Sequence, residues 1–325
     1  MKRKILAATL SVVSNTILVL AKLVIGVLSG SVSIISEAAH SALDLFAAVI
    51  ALFSVRVSGL PADREHPYGH GKVENLSGAI EAVLILLAAI FIIHESVDKL
   101  RNPRGIEHVS WGLYVMGLSV VMNTLVSRYL FKVARETDSM ALEADAHHLS
   151  TDVWTSLGVF AGLILIGITD LMGFTGWHIV DPLVAIGVAL MIMRVAFSLT
   201  RRAAGPLLDV RLPEDELREI EKIVMTSPEI VGYHKLRTRK AGPFREIDVH
   251  IIFPSNMPIV EAHGIAEDVE DRMRERFSNT HVITHLEPDT DDTLGEPDTE
   301  INRNGRQGET NAPARDSEQP SSTTG

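Results

Sequence analysis

The first two thirds of the chain alternate between long apolar stretches and short polar segments. Six apolar stretches precede Pro206, and most approach or exceed the roughly 20 residues that a helix needs to cross the hydrocarbon core of a bilayer. The third stretch is shorter, and the fifth carries charged residues. We predict six membrane-spanning helices, approximately over Ala7–Leu28, Val32–Val57, Ser77–Ile93, Val109–Phe131, Leu142–Ile168 and Trp177–Leu199.

A single stretch of this kind would also be compatible with a buried helix of a soluble core or with a signal peptide. The basic start, Met1–Lys4, followed by an apolar run does resemble a signal peptide. However, no small-residue cleavage site follows cleanly, and five more stretches come after it. The repetition therefore favours a membrane domain over residues 1–205.

Basic residues are distributed unevenly between the segments that join the stretches. Only Lys99, Arg101 and Arg104 fall on one side of the predicted membrane. Because cytoplasmic loops carry an excess of Lys and Arg, we predict that both termini are cytoplasmic. We separately expect the membrane to be a bacterial inner membrane. Eleven basic residues fall on the cytoplasmic side: Lys2, Arg3, Lys4, Arg56, Arg64, Lys72, Arg128, Lys132, Arg135, Arg201 and Arg202.

The pattern changes after the sixth stretch. Residues 206–288 alternate between amphipathic and β-type segments in the order αββαβ, which predicts a small α/β domain with helices on one face of a three-stranded sheet. The tail over residues 289–325 is rich in Asp, Glu, Ser, Thr, Gly and Pro and nearly free of apolar residues. We expect the tail to be disordered because it cannot bury enough surface to fold.

Composition narrows the possible functions. The mean hydropathy is +0.19, which suits a chain that is part membrane and part soluble, and the net charge is −11. The negative charge is concentrated after Pro206, which argues against nucleic acid as a partner. The chain has no cysteine, so any metal site must use His, Asp and Glu, and a thiolate cage for Cu(I) is excluded.

Two of the apolar stretches contain the same polar pair, His-x-x-x-Asp. The pairs are His40 with Asp44 and His148 with Asp152. Positions i and i+4 share a helix face, about 6 Å apart at Cβ, so two facing pairs supply the ligand set of tetrahedral Zn²⁺. Ionisable residues at bilayer depth cost at least ~2.5–3.5 kcal/mol each, and a bound cation compensates the carboxylates. The alternative is interhelical hydrogen bonding without metal. His147 lies about 100° away on the helix and is expected to support a ligand from behind or to contact another helix, rather than to bind the ion itself.

Two further clusters are ambiguous from spacing alone. In the loop after the second stretch, Asp63, His66 and His70 either close on one metal ion or form a polar cap of the next helix. Glu81 lies in an apolar run, where snorkelling or helix pairing is favoured over metal binding. The α/β domain carries five candidate ligands on different predicted elements, either a site or scattered surface residues: His234, His250, His263, His285 and Glu287.

Four segments together resemble the cation diffusion facilitators. They are Glu37–Asp44, His66–Glu74, Ala144–Asp152, and the stretch that holds Leu236-Arg-Thr-Arg and Val249-His-Ile. The resemblance extends from the N-terminus to about Pro288 and excludes the tail. It implies a homodimer of six-helix protomers, each with a cytoplasmic ferredoxin-like domain, that exports a divalent metal from the cytoplasm in exchange for protons.

The resemblance also implies roles for particular residues. The transport site matches His40, Asp44, His148 and Asp152, and a usually weaker loop site matches Asp63, His66 and His70. A binuclear site that stabilises the dimer or senses cytoplasmic metal matches His234, His250, His263, His285 and Glu287. A charge interlock between protomers matches Lys72 and Asp209.

Two departures from the family pattern bear on specificity. Many bacterial members carry Asp where this chain has His40, and the His variant resembles zinc-selective vesicular carriers. Leu286 stands where some members place a polar amide, and Glu287 where they place Asp, so the binuclear site is expected to be incomplete.

The predicted function is Zn²⁺ export by proton antiport, with Zn²⁺ also a structural or regulatory ion and no organic cofactor. Asp63, Glu65 and Glu74 are expected to attract the ion to the cytoplasmic entrance. The alternatives are Mn²⁺, Fe²⁺ or Cd²⁺ efflux by the same fold, or a membrane metal sensor that does not transport. A metallopeptidase is disfavoured because no His-Glu-x-x-His motif occurs and the quartet fills the coordination sphere.

Overall fold

The computed structural model describes residues 1–29, 32–101, 110–171, 180–290 and 302–303. These residues belong to two compact units. The first unit comprises Met1–Leu212 and Thr238–Glu246, and the second comprises Pro213–Arg237 and the chain from Ile247 onward. The predicted domain boundary falls after residue 205, whereas the compact units divide after Leu212.

Six long helices form most of the first unit. They extend beyond the predicted apolar stretches at nearly every described end, because polar residues in the end turns continue the backbone hydrogen bonding of the helix. Two predicted starts, Val109 and Trp177, lie outside the described residues. The helices are α1 Lys2–Ser29, α2 Val32–Ser58, α3 Lys72–Arg101, α4 Ser110–Thr137, α5 Met140–Leu171 and α6 Val180–Leu207.

Small side chains form much of the packed interior of this unit. One buried cluster contains Ala7 and Ala8 of α1 together with Leu142 of α5. A second buried cluster contains Ala82 of α3 and Ala196 of α6. Small residues let helix backbones approach closely, which is how helices associate where lipid replaces water and the hydrophobic effect between helices is absent.

The outer surface of the bundle is apolar, as expected for contact with lipid. Large side chains such as Leu28, Phe91 and Phe197 are well exposed. α5, by contrast, carries Asp145 and Asp152 within its length. Four of the described helical segments are long and apolar enough to cross a membrane: Lys2–Leu28, Ala38–Ser58, Lys72–Asp98 and Pro182–Leu207.

The second unit contains most of the predicted small α/β domain, and Thr238–Glu246 of the two central strands belong to the first unit. Its helices bury apolar stripes, with Leu217, Ile220 and Val224 inward on one helix and Val269 and Met273 inward on the other. The sheet order is β3-β2-β1-β4. The elements are α7 Glu214–Val224, β1 Gly232–Ala241, β2 Phe244–Phe253, α8 Ile259–Arg276, β3 Thr280–Pro288 and β4 Asn302–Arg303.

The fourth strand differs from the expectation of a wholly unstructured tail. Asn302 and Arg303 pair antiparallel with Tyr233 and Gly232 at the β1 edge. Backbone groups make this ladder, so the short strand needs no apolar side chains of its own. Residues 291–301 and 304–325 of the tail lie outside the described residues.

Two glycines of the first unit bring backbone segments into direct contact. Gly242, in the turn between β1 and β2, has φ +61° and donates its N–H to Asn75 Oδ1 at 2.7 Å. A Cβ on Gly242 would collide with the Gly71 carbonyl, and a Cβ on Gly71 would collide with the Ala241 carbonyl. The close approach of the backbone at Gly71 to the backbone at Gly242, called the seam below, therefore requires glycine at both positions.

Candidate metal centres

The two His-x-x-x-Asp pairs meet inside the helical bundle. His40 and Asp44 lie on α2, and His148 and Asp152 lie on α5, which packs against α2. The ligand atoms of His40, Asp44 and Asp152 all lie within 4.8 Å of one another. His148 Nε2 lies 3.1 Å from Asp44 Oδ1. Each pair occupies one helix face, as its i, i+4 spacing requires.

This geometry is suited to a small tetrahedral cation. Two ligand atoms about 2.0–2.1 Å from a tetrahedral Zn²⁺ are separated by about 3.3 Å, close to the separation of His148 Nε2 and Asp44 Oδ1. Asp44 and His148 are buried, Asp152 is half-buried and His40 is exposed, so an ion here would be enclosed on the side of Asp44 and His148. Asn123 of α4 reaches Asp152 Oδ2 at 3.4 Å and helps to orient that carboxylate.

His147 lies apart from these four residues. Its ring makes an edge contact with Phe131 of α4, with ring centroids 4.8 Å apart. Its Nε2 lies 3.9 Å from Glu143 Oε1, one turn earlier on α5. His147 thus contacts α4 through Phe131 and its own helix through Glu143.

The loop trio also converges. His66 Nδ1 lies 3.3 Å from Asp63 Oδ1, and His70 Nε2 lies 3.4 Å from Asp63 Oδ2. The backbone N–H groups of His66 and then of Glu65 donate to Asp63 Oδ1, which lowers the pKa of the Asp63 carboxyl despite slight desolvation. Asp63 is therefore an ionised carboxylate at neutral pH and a competent ligand.

Glu74 does not have the role that the sequence suggested. It is fully buried, and Lys4 Nζ lies 2.7 Å from its Oε1. Ser58 donates to the same oxygen at 2.7 Å, and Ser139 donates to Oε2. Both oxygens are occupied by this network, so Glu74 joins the ends of four helices and cannot attract an ion from solvent. Sequence patterns do not reveal this ion pair, because Lys4 and Glu74 are far apart in the chain.

Three of the five candidate ligands in the second unit meet at one point. His234 Nε2 lies 2.8 Å from Glu287 Oε2, and His250 Nδ1 lies 2.6 Å from Glu287 Oε1. Burial opposes ionisation of Glu287, but the hydrogen bonds from His250 and His234 outweigh it and lower the pKa of Glu287. The ligand atoms of these three residues lie within 4.8 Å of one another.

The other two candidates are placed differently. The His285 ring lies 4.6 Å from the His250 ring, and His285 Nε2 lies 3.6 Å from Glu287 Oε1. His285 is therefore at the border of the trio. His263 instead pairs with Glu267 at 3.5 Å on its own helix, with its side chain 66% exposed. Within one protomer, the described structure does not bring His263 to the site.

The predicted interlock residues form a surface ion pair within the first unit. Lys72 Nζ lies 2.8 Å from Asp209 Oδ1, and Arg239 approaches the same oxygen at 3.5 Å. Hydrogen bonding from Lys72 is the main reason that the pKa of Asp209 lies below its ordinary value. The Arg239 guanidinium also lies 4.9 Å from the centre of the Tyr68 ring.

One acidic residue in the bundle was not identified from sequence. Asp145 lies one turn before His148 and is completely buried. Its position three residues before His148 is the available signal, because i and i+3 share a helix face. That signal is weaker than the two matched His-x-x-x-Asp pairs. His148 already belongs to one of those pairs, so its spacing from Asp145 attracts no notice.

Known proteins resemble this chain over both units. The model described as "Cation efflux transmembrane domain" matches residues 8–208, and the one described as "Cation efflux protein, cytoplasmic domain" matches residues 212–289. "Uncharacterized transporter sll1263" of Synechocystis is 34% identical over 80% of this chain and 83% of its own length.

Two proteins named "Cation-efflux pump FieF" are similarly related. The protein of Citrobacter koseri is 34% identical over 87% of this chain and 92% of its own length. The protein of Salmonella newport is 35% identical over 80% of this chain and 84% of its own length. With a family model over more than half of its length and relatives that match it nearly end to end, this chain belongs to the cation diffusion facilitator family of membrane cation-efflux transporters.

Proposed function

We propose that this chain exports a divalent transition metal, with Zn²⁺ preferred, from the cytoplasm in exchange for protons. The transport site is the quartet of His40, Asp44, His148 and Asp152. The observation that carries the proposal is the convergence of these side chains from two helices inside the bundle. Two imidazoles and two carboxylates that converge within the bundle can hold an ion that the bilayer otherwise excludes.

The ligand chemistry favours Zn²⁺. Two imidazoles and two carboxylates provide the mixed nitrogen and oxygen set that tetrahedral Zn²⁺ accepts, whereas Mn²⁺ prefers more oxygen ligands. Mn²⁺, Fe²⁺ and Cd²⁺ remain the alternative cargoes for the same site. The name "Cation-efflux pump" of the two FieF relatives specifies no particular ion.

Proton exchange follows from the contact between His148 and Asp44. In the absence of metal, a proton on His148 Nε2 is shared with Asp44 Oδ1 at 3.1 Å. Metal binding requires an imidazole nitrogen without its proton, so the ion displaces that proton. Because one site holds either a metal ion or a proton, protons arriving from the far side of the membrane release the metal.

The other two clusters have auxiliary roles in this proposal. Asp63, His66 and His70 form a weaker site at the entrance. The trio of His234, His250 and Glu287, bordered by His285, binds Zn²⁺ as a structural or regulatory ion in a homodimer. His263 either joins this site after rearrangement or remains outside it. Both termini face the cytoplasm, and the membrane is a bacterial inner membrane.

Reconstituted vesicles with a zinc-sensitive dye inside test the transport site. Asp44→Ala is expected to reduce zinc flux to the level of protein-free vesicles, and the matched control Glu95→Gln, an exposed acid of α3, is expected to retain it. Full flux in Asp44→Ala would refute the site. Wild-type flux that ignores an imposed pH gradient would refute proton exchange. A sensor would show no flux even in the wild type.

A further inference from the structure

A second polar cluster lies in the bundle beside the quartet. Glu81 of α3 is fully buried, and its Oε1 accepts a hydrogen bond from Ser77 at 3.2 Å. Its Oε2 is buried and has no hydrogen-bond partner among the described residues. Glu81 lies close enough to Asp145 and His148 of α5 to interact electrostatically with both.

Asp145 is equally enclosed. The Ser11 hydroxyl of α1 faces its carboxylate, but neither Asp145 oxygen nor that hydroxyl reaches a hydrogen-bond partner within the described parts of the chain. Ala82 of α3 and Ala144 of α5, the sequence neighbours of Glu81 and Asp145, lie in one buried cluster, so these incompletely satisfied polar groups are enclosed where the two helices pack together. Unsatisfied buried polar atoms are rare in proteins and call for an occupant or a function.

The charges in this cluster do not balance. The charged or titratable groups that face Glu81 are Asp145 and His148, and His148 also faces Asp145. His148 is already engaged by Asp44 and Asp152 of the quartet. Two fully buried carboxylates that interact with each other, with no cation of their own among the described residues, cannot both be ionised, because a buried unpaired charge is very costly.

We propose that Glu81 and Asp145 form a proton-binding site, distinct from the metal quartet, that holds one proton when the quartet is empty and releases it when metal binds. The proposal rests on the proposed metal transport through the quartet. A divalent ion beside His148 repels the shared proton and stabilises the carboxylates, since charges interact strongly in a medium of low dielectric constant. The pair thereby adds one proton to each transport cycle. The carboxylates remain intact, and the only change is the movement of that proton to water.

Infrared spectroscopy of the full-length protein tests the proton directly. The metal-bound minus metal-free difference spectrum should contain a negative carboxylic acid C=O band that shifts in heavy water. Glu81→Gln together with Asp145→Asn is expected to remove one such band, while Glu95→Gln is expected to keep the wild-type spectrum. An unchanged spectrum in the double variant would overturn the proposal. If the double variant does not fold, the two single variants are compared in the same way, and unchanged spectra in both have the same consequence.

Vesicles with the membrane potential clamped test the coupling. Each coupled proton multiplies the zinc ratio that a one-unit pH gradient sustains by about tenfold, because one pH unit corresponds to 1.36 kcal/mol. The double variant should therefore sustain an approximately tenfold smaller ratio than the wild type, and Glu143→Gln should not. An equal ratio in the double variant would contradict the proposal. A wild type without any pH response would instead contradict proton exchange itself, and the infrared result would still decide whether the proton site exists.

Discussion

The membrane unit and the C-terminal unit gather the same kinds of side chain in different surroundings. In the bundle, Asp44 and His148 are buried among helices. In the α/β unit, Glu287 stands between His234 and His250 on strands, with His285 63% exposed beside it. Both clusters are partly enclosed, since His40 of the first is exposed and His234 of the second is buried. The bundle is surrounded by lipid, which makes a change of charge costly at the first cluster, whereas water around the α/β unit moderates such a change at the second. The same substitution is therefore expected to have consequences of different size in the two units.

The largest difference concerns a single histidine. His148→Ala removes a buried member of the proposed transport quartet and should reduce zinc flux in vesicles to background. The adjacent His147→Ala should retain flux, since His147 faces Phe131. His250→Ala, in the other unit, should also retain transport at saturating zinc. If His250→Ala lost as much flux as His148→Ala, the two clusters would not differ in their importance for transport.

The buried ion pair of the bundle gives the next effect. Lys4→Met leaves Glu74 charged and enclosed, and breaking a buried pair in this way costs about 3–5 kcal/mol. Unfolding in mixed detergent micelles should show a loss of that order. Lys2→Met, at an exposed position two residues earlier, should change stability by less than about 0.5 kcal/mol. Equal stability of the two variants would mean that the Lys4–Glu74 contact contributes nothing.

The strand-borne cluster should respond more moderately. Glu287→Gln removes the anion that His234 and His250 share. Metal affinity at this site is expected to fall by at least about 10-fold, because replacing even an outer partner of a ligand typically costs about 10–100-fold. Titration of the full-length protein against a competing chelator measures this, with Glu267→Gln as the exposed control. Transport through the quartet should persist. Unchanged affinity would show that Glu287 is not a ligand of this site.

The smallest effect is expected at the surface pair. Asp209→Asn removes the partner of Lys72, and pairs this exposed contribute about 0.2–1 kcal/mol. Because the folded-state pKa of Asp209 is lowered, the contribution is fully present above the ordinary Asp pKa of about 3.9 and is lost as the pH falls through the lower folded value. Unfolding of the wild type and variant should therefore differ slightly at neutral pH and converge in strong acid.

How well each region could be predicted follows from chain geometry. His40 and Asp44 are four residues apart on a helix, so their spacing places them on one face without knowledge of the rest. His234 and Glu287 lie 53 positions apart, and their meeting depends on strand pairing that spacing does not encode. The resemblance named His263 as well, yet its helix turns it toward Glu267.

The interior contacts of the bundle were the least predictable. In the sequence, Lys4 looks like one of the basic residues that flank a membrane helix. Only the three-dimensional packing of the helices brings it to Glu74. Asp145 carries no motif of its own. Its importance depends on the approach of Glu81 from another helix, which requires the arrangement of α3 and α5.

The seam between Gly71 and Gly242 limits what the sequence can tolerate. Any side chain at either position would have to displace backbone, and compensation by trimming a neighbouring side chain is impossible because the obstacle is a carbonyl. Even the methyl group of an alanine at either position is large enough to force the loop before α3 away from the β1–β2 turn. Alanine at Gly71 or Gly242 would therefore push these two backbone segments apart without changing the charge of the protein.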